Sequence, residues 1–188
     1  VCLILHADHT FNASTFAARE VVSTRASLYA GVSAGLGALS GSLHGGANAG
    51  VVEMLEKIRD GKHTPREIIE QAKQKKFRLM GFGHRIYKSY DPRAVILKKA
   101  AHDLLLKMGK LDRLMDIAME LESLALADDY FVERKLYPNV DFYSGIILRA
   151  LNIPVQMFPV MFAIGRMPGW IAHWYEEHQE LGSTIHRP

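Results

Sequence analysis

Apolar residues recur at helical spacing along most of this chain, and this periodicity restricts the fold more than any other feature. Between residues 114 and 125 they fall at i, i+3, i+4 and i+7, which is the pattern of one helix face. A similar pattern over residues 51–58 ends near Gly61. The alanine- and serine-rich stretch 15–39 is typical of two tightly packed helices, or of one helix with an irregularity near Thr24. We therefore predict an all-α chain.

Helix start signals support this prediction. Thr64 and Glu67 form a capping box with Pro65 at the first helical position, so a short helix begins there. Asp91, followed by a proline, predicts a second such start and a helix over residues 93–108.

Two segments are less regular. Residues 158–179 are helical in pattern, with a break or restart expected at Pro168 and Gly169. Residues 77–87 alone have the composition of a strand, which predicts a short hairpin. The sequence contains neither an internal repeat nor a low-complexity linker.

Composition narrows the class of protein. The 188 residues are 48% hydrophobic and carry a net charge of +3, which favours acidic partners without requiring nucleic acid. Cys2 is the only cysteine, so neither a disulfide framework nor a cysteine zinc site is expected. We expect a cytoplasmic, reducing location, because the sequence has no apolar run of about 18 residues and no secretory signal. The first residue is Val1 rather than methionine, and we expect a cut N-terminus, with a natural mature terminus as the alternative.

Three separated stretches each place a titratable side chain beside glycines or a helix start. They contain His44, His84 and Asp141. A carboxylate can take a proton, and imidazoles can stabilise oxygens that gain charge. These are the groups that carbon–carbon bond formation next to a carbonyl requires. The stretches are 43–48, 81–93 and 137–145.

Each of these signals has a simpler alternative. His44 precedes a helix predicted to begin near Ala47, so it is either a neutral hydrogen-bond donor or a capping residue. Asp141 is either a base or an ordinary first-turn aspartate. Arg93 lies in a first helical turn, where a cation is unfavourable, which indicates a substrate carboxylate or else a surface arginine. Arg166 lies in an apolar stretch, where a charge needs a partner, and an anionic substrate is one candidate.

The glycine turn at Gly81 and Gly83 lies among cations. Exposed backbone N–H groups together with positive charge suit phosphate groups, although the motif is neither a Walker loop nor a dinucleotide fingerprint. The alternative is a solvated basic turn. The cations are Lys75, Lys76, Arg78, Arg85 and Lys88.

His6 and His9 form an H-x-x-H pair, which lacks the H-E-x-x-H spacing of helical zinc sites and has no cysteine to assist it. We therefore predict no metal site.

Taken together and in this order, the motifs resemble those of citrate synthase over essentially the whole chain. The matching segments are 6–9, 12–16, 43–48, 81–87, 91–93, 137–145, 169–173 and 187–188. The resemblance implies condensation of acetyl-CoA with oxaloacetate, followed by hydrolysis to citrate and CoA. It implies no metal, no tightly held cofactor, no nucleic acid and no membrane.

The resemblance also implies a role for each matching residue. Asp141 is similar to the base that removes a methyl proton from acetyl-CoA, His44 to the donor that holds the enol oxygen, and His84 to the group that polarises the oxaloacetate carbonyl. The oxaloacetate ligands implied are His9, Arg93 and Arg166, with Arg187 reaching the partner subunit's site in a homodimer. The CoA-binding residues expected are Leu79, Met80, Gly81, Phe82, Gly83, Lys88, Arg134 and Lys135.

Family members are all-α dimers with a large and a small domain. By that resemblance residues 47–147 form the small, mobile, CoA-binding domain, and residues 1–46 and 148–188 belong to the large one. Three departures stand out: the long N-terminal helical portion of family members is missing, Ser42 stands where proline is usual, and Ala49 stands where glutamate or glutamine is common.

Three other functions compete with this interpretation. The motifs overlap with those of 2-methylcitrate synthase, which uses propionyl-CoA. A truncated chain that binds CoA or a partner without catalysis is the second. A basic nucleic-acid binder is the third, disfavoured because the charge is diffuse and no nucleic-acid motif is present.

Overall fold

The computed structural model describes residues 1–179 and 184–187, and in them the chain is built from helices. Two compact units emerge. The first unit contains residues 1–46 and the described residues from 159 onward, and the second unit is Ala47–Phe158. The helices are α1 (Cys2–His6), α2 (Ala13–Ser23), α3 (Leu28–Leu39), α4 (Ala47–Arg59), α5 (Pro65–Lys73), α6 (Pro92–Lys107), α7 (Arg113–Leu126), α8 (Asp129–Glu133), α9 (Val140–Ala150), a 3-10 turn (Val155–Met157) and α10 (Phe158–Gln179).

In the first unit, α2 and α3 pack against each other, which confirms the prediction of two helices in the stretch 15–39. Asn12 caps α2 by accepting a hydrogen bond from the Thr15 N–H, and Ser27 caps α3 in the same way. Trp170 of α10 is fully buried in the core of this unit. A Cβ on Gly35 would approach the Trp170 ring to 2.9 Å, so α3 contacts the indole closely because this residue is glycine.

The predicted break at Pro168 is wrong, because α10 runs through this proline without interruption. The helix packs closely on the start of the chain at its glycines. A Cβ on Gly169 would lie 2.1 Å from the Ala7 carbonyl oxygen, and one on Gly165 would lie 3.0 Å from the Leu3 carbonyl oxygen. Such tertiary packing overrides the local preference of proline against a helix interior.

In the second unit, α7 and α9 contact each other and α4, while α5 packs on α7 and α6 on α9. The side chains of Val51, Leu97, Leu121 and Phe142 are fully buried in this core. The capping box at Thr64 is present, with both of its hydrogen bonds, as predicted. The Asp91 cap is present too, since its side chain accepts from the Arg93 N–H at the start of α6.

The hairpin predicted over residues 77–87 is wrong, since this segment contains no strand. Phe82 instead forms one isolated antiparallel bridge with Pro138. The reason is the conformation of Gly81 and Gly83, whose φ angles of 78° and 84° turn the chain out of an extended path.

The second unit ends at Phe158 rather than at the predicted domain boundary after residue 147. The helix α9 runs across that boundary as one continuous element. The assignment of a CoA-binding domain to this region stays a prediction. Within the described residues, no helix is both long and apolar enough to cross a membrane.

Candidate active site

His44 lies in the first unit, and its ring contacts the start of α2. The backbone N–H of Ser14 donates to His44 Nε2 at 3.2 Å, and the Ser14 hydroxyl lies 2.8 Å from the same atom. Because Nε2 accepts a backbone hydrogen bond, a neutral ring carries its proton on Nδ1. The sequence analysis related His44 to the start of the helix near Ala47, whereas the hydrogen bond to its ring comes from the start of α2.

The surroundings of His44 also oppose a charge on its ring. Burial lowers the pKa of His44, and the nearby Arg166 guanidinium lowers it further. Phe162 packs edge-on against the ring, with centroids 6.0 Å apart. His44 is therefore suited to donate a hydrogen bond from Nδ1 rather than to act as a cation.

Arg166 is buried beside the same phenylalanine. Its guanidinium lies 4.9 Å from the centroid of the Phe162 ring, and its Nε donates to the backbone carbonyl of His6 at 2.7 Å. The prediction that this charge needs a polar partner is answered in part by that carbonyl. The side chain is only 3% exposed, so its positive charge acts in a region from which water is largely excluded.

His84 lies in the second unit, where its own loop fixes the ring. The backbone N–H groups of Ile86 and Tyr87 both point at His84 Nδ1, at 3.1 and 3.3 Å. Since Nδ1 accepts, a neutral ring carries its proton on Nε2. That nitrogen lies 3.3 Å from Nη2 of Arg93. From one side, a single oxygen acceptor, such as a carbonyl or carboxylate, can accept from both donors.

Arg93 is held by Asp91. The guanidinium donates to both carboxylate oxygens, through Nε at 3.1 Å and Nη2 at 2.8 Å. Both residues are buried. The unfavourable position of a cation in the first turn of α6 is thus offset by the capping carboxylate, which also fixes the guanidinium beside His84.

Asp141 lies in the first turn of α9, half-buried. Its backbone N–H donates to the side-chain oxygen of Asn139 at 3.0 Å, and the Asn139 side-chain amide donates to the Gly83 carbonyl at 2.9 Å. Backbone hydrogen bonds from Gly83 to Tyr137 and from Asn139 to Gly81 join the same two segments. The glycine turn that precedes His84 and the helix start that carries Asp141 are therefore fixed side by side.

A cavity of about 420 Å³ opens beside the glycine turn in the second unit. It combines the basic residues Lys75, Lys76 and Arg78 with apolar and aromatic walls. Positive charge and stacking surfaces together suit a phosphorylated ligand that carries an aromatic ring. The remaining lining residues are Ala72, Phe77, Leu79, Phe82, Tyr130, Phe131 and Leu136.

The other predicted CoA-binding residues also lie in the second unit. Met80 packs against Gly50, where a Cβ would approach the Met80 methyl carbon to 2.9 Å. Lys88, Arg134 and Lys135 are exposed. The Arg134 guanidinium stacks over the Tyr130 ring at 4.0 Å, which places it next to an aromatic wall of the cavity.

The remaining predicted substrate ligands lie in the first unit. His9 is half-buried in the loop before α2, and its carbonyl accepts a hydrogen bond from the Asn12 side chain. Arg187 is exposed, next to His186, whose backbone N–H donates to the Ser23 hydroxyl at 3.0 Å. Over residues 1–179 and 184–187, no group of three or more histidine, cysteine, aspartate or glutamate side chains is placed to hold a metal ion.

Sequence reasoning assigned no role to Ser14 or Asn139, although each contacts a predicted catalytic residue or its backbone. Their signal is a polar residue at a helix start, which by itself indicates only a cap. What distinguishes them is the segment that each cap contacts, and that contact exists only in the folded chain.

The chain is similar to known proteins of one family. The chain matches the family model for citrate synthase, C-terminal domain, over residues 1–188. It is 57% identical to citrate synthase 1 of Mycobacterium tuberculosis, in an alignment that covers 98% of this chain and 43% of that relative. The citrate synthase of Pyrobaculum aerophilum has a TM-score of 0.89 at 46% identity, covering 99% of this chain and 45% of that one.

A second solved structure was determined with bound ligands. It is the citrate synthase of Thermoplasma acidophilum in a ternary complex with carboxymethyl coenzyme A and oxaloacetate. Its TM-score is 0.89 at 38% identity, with coverage of 100% of this chain and 49% of that one. The chain thus spans less than half the length of each of these three proteins. With a family match over every residue, the chain belongs to the citrate synthase family.

Proposed function

We propose that this chain carries the catalytic residues of a citrate synthase, which joins acetyl-CoA to oxaloacetate to give citrate and CoA. One observation carries the proposal. Backbone N–H groups donate to one ring nitrogen of each candidate histidine, to Nε2 of His44 and to Nδ1 of His84, so a neutral ring would carry its proton on the other nitrogen. The reaction needs two such neutral donors, one for each oxygen that gains charge.

The chemistry follows from these donors and one base. The Asp141 carboxylate takes a proton from the methyl group of acetyl-CoA, while His44 Nδ1–H donates to the enol oxygen that forms. The nucleophilic carbon then attacks the oxaloacetate carbonyl carbon. His84 Nε2–H donates to that carbonyl oxygen and protonates it as the carbon–carbon bond forms. Water then cleaves the citryl thioester, releasing citrate and CoA.

Cations account for the charge of both substrates in this proposal. Oxaloacetate has two carboxylates, which Arg93, Arg166, Arg187 and His9 would bind. We further propose a homodimer in which Arg187 acts in the partner's site. The basic cavity in the second unit would take the phosphorylated nucleotide of CoA, together with the predicted residues around the glycine turn. The proposed catalytic residues are divided between the units, so neither unit supplies the whole set.

Thiol release tests this function. The full-length gene product, mixed with acetyl-CoA and oxaloacetate, should release free CoA, and each substrate alone should release none. The curated relative with 57% identity is named a citrate synthase, so acetyl-CoA should be turned over faster than propionyl-CoA. Faster turnover of propionyl-CoA would instead favour a 2-methylcitrate synthase. CoA binding in a calorimeter without thiol release would contradict the proposed catalysis.

A further inference from the structure

Glu122 is a buried carboxylate that takes no part in the proposed reaction. It lies on α7 in the second unit and is 3% exposed. Three side chains donate to it: the Tyr90 hydroxyl to one oxygen, and the Tyr143 hydroxyl and Lys98 Nζ to the other, with Lys98 at 2.6 Å. Burial of a carboxylate lowers the stability of the folded chain unless hydrogen bonds of this kind satisfy its oxygens.

The tyrosine donors come from the two segments that carry the candidate catalytic residues of this unit. Tyr90 directly precedes Asp91, which holds Arg93 beside His84. Tyr143 follows Asp141 by two residues in α9. Glu122 is thus one hydrogen bond away from each of these segments.

We propose that Glu122 is a positioning residue, which sets the segment of Arg93 and His84 through Tyr90 and the helix start of Asp141 through Tyr143. This inference rests on the proposed function, because it assigns the positioned groups to catalysis. Hydroxyl hydrogen bonds restrict distance and direction, whereas apolar packing of the same rings would restrict mainly their volume. Displacement of a reacting group by about 1 Å can reduce a rate by about 100-fold.

The electrostatics keep the two hydroxyls in one protonation state. Burial raises the pKa of Tyr90 and of Tyr143, and the Glu122 carboxylate that accepts from them raises both further. The hydroxyls therefore remain protonated donors over the working pH range. Lys98 balances the negative charge of Glu122 at 2.6 Å.

The two hydroxyls should act on different steps, which separates positioning from mere packing. Tyr90→Phe should raise the KM for oxaloacetate about tenfold and leave the KM for acetyl-CoA nearly unchanged, since it loosens the carboxylate-binding segment. Tyr143→Phe should lower kcat about tenfold and change both KM values little. It should also increase the kinetic isotope effect measured with methyl-deuterated acetyl-CoA, because proton removal becomes slower relative to the other steps.

The experiment measures these constants in the full-length gene product, with folding checked by circular dichroism. Glu122→Gln should combine both effects, whereas Glu120→Gln, an exposed neighbour on α7, should have neither. Tyr29→Phe, which is 82% exposed, controls for loss of a tyrosine hydroxyl. If Glu122→Gln fails to fold, the two tyrosine variants still test the positioning role, since each removes only a single oxygen.

An oxaloacetate effect in Tyr90→Phe with an isotope-effect change confined to Tyr143→Phe would support the proposal. The same change in both variants, or none in either, would overturn it while the unsubstituted protein still releases thiol. Absence of thiol release from the unsubstituted protein would overturn the proposed function, and the positioning role with it.

Discussion

His44 and His84 are both held by backbone hydrogen bonds, but the two units achieve this in different ways. In the first unit the donor is the N–H of Ser14, 30 residues away in sequence, at the start of another helix. In the second unit the donors are the N–H groups of Ile86 and Tyr87, which follow His84 by two and three residues. The tautomer of His44 therefore depends on how helices pack, whereas that of His84 depends on the conformation of one loop.

The charged neighbours differ as well. His44 lies in a half-buried position near a buried Arg166, and both effects oppose protonation of the ring. His84 lies 3.3 Å from an Arg93 whose charge Asp91 largely offsets. Local hydrogen bonds thus suffice to orient a ring, and burial adds control of its charge. Four substitutions test this comparison.

The largest effect is expected at Asp141, the base that neither histidine replaces. Asp141→Asn keeps the shape but cannot accept the methyl proton, so kcat should fall about 1000-fold while oxaloacetate binding stays nearly intact. Steady-state thiol release and calorimetry with oxaloacetate measure the two quantities. The matched control is Asp116→Asn, an exposed first-turn aspartate of α7, which should leave kcat unchanged. Normal turnover in Asp141→Asn would refute the assigned base.

The local nature of the His84 loop is tested by removing one N–H. Ile86→Pro deletes the backbone donor to His84 Nδ1, so kcat/KM for oxaloacetate should fall about 10- to 100-fold. Ile86→Ala keeps that N–H and removes a side chain that is 53% exposed, so it should retain nearly full activity. Equal losses in the two variants would show that the side chain, rather than the hydrogen bond, orients the loop.

A smaller effect is expected at Ser14, which contacts His44 across the first unit. Ser14→Ala removes the hydroxyl 2.8 Å from Nε2 but keeps the N–H that sets the tautomer. The hydroxyl also donates to the Asn12 side-chain oxygen that caps α2, at 2.8 Å. The loss of one hydrogen bond of about 1 kcal/mol should lower kcat about fivefold. Ser40→Ala, which removes an exposed hydroxyl bonded to the Gly37 carbonyl, is the control. A loss at Ser14 as large as that of Ile86→Pro would mean that the hydroxyl itself selects the tautomer.

The smallest effect is a pH dependence of stability that arises at His44. The folded-state pKa of His44 lies below its ordinary value of 6.5, so the unfolded chain binds this proton at higher pH. The stabilisation is present above pH 6.5 and is lost as pH falls through the lowered pKa.

Urea unfolding of the full-length protein between about pH 7.5 and about pH 5.5 measures this dependence. His44→Gln should show a shallower decline in the free energy of unfolding than the unsubstituted protein. His102→Gln, whose ring is 57% exposed, should decline like the unsubstituted protein. If the free energy of unfolding of His44→Gln declined with pH as steeply as that of the unsubstituted protein, a group other than His44 would cause the pH dependence.

The fold was largely predictable because helix signals are local. The cap of α5 at Thr64 and that of α6 at Asp91 follow from a few consecutive residues, and both are present. The two wrong predictions, the hairpin at 77–87 and the break at Pro168, concern segments whose partners lie far away in sequence. The positive φ angles of Gly81 and Gly83 turn the first segment out of an extended path, and its one bridge is to the distant Pro138. Packing on the start of the chain holds the second segment in a helix.

The residues of the candidate site were proposed from the resemblance to citrate synthase, whereas the side chains that support them were not. Glu122 illustrates the limit. It lies four residues after Ala118 and three before Ala125, so it falls on the buried stripe of α7, where a charge needs a partner. That signal indicates a buried carboxylate, yet it does not identify Tyr90 and Tyr143 as the donors.

By itself, the sequence determined the all-α class and the helix starts, because these depend on spacing along a few turns of chain, and its resemblance to citrate synthase supplied the residues proposed to act. Only the tertiary structure decided which backbone N–H group reaches the His44 ring and which side chains satisfy Glu122, because these partners lie far apart in sequence. Hydrogen bonds act over about 3 Å, yet they can join residues 30 positions apart in sequence, as for Ser14 and His44, so they exist only once the chain has folded.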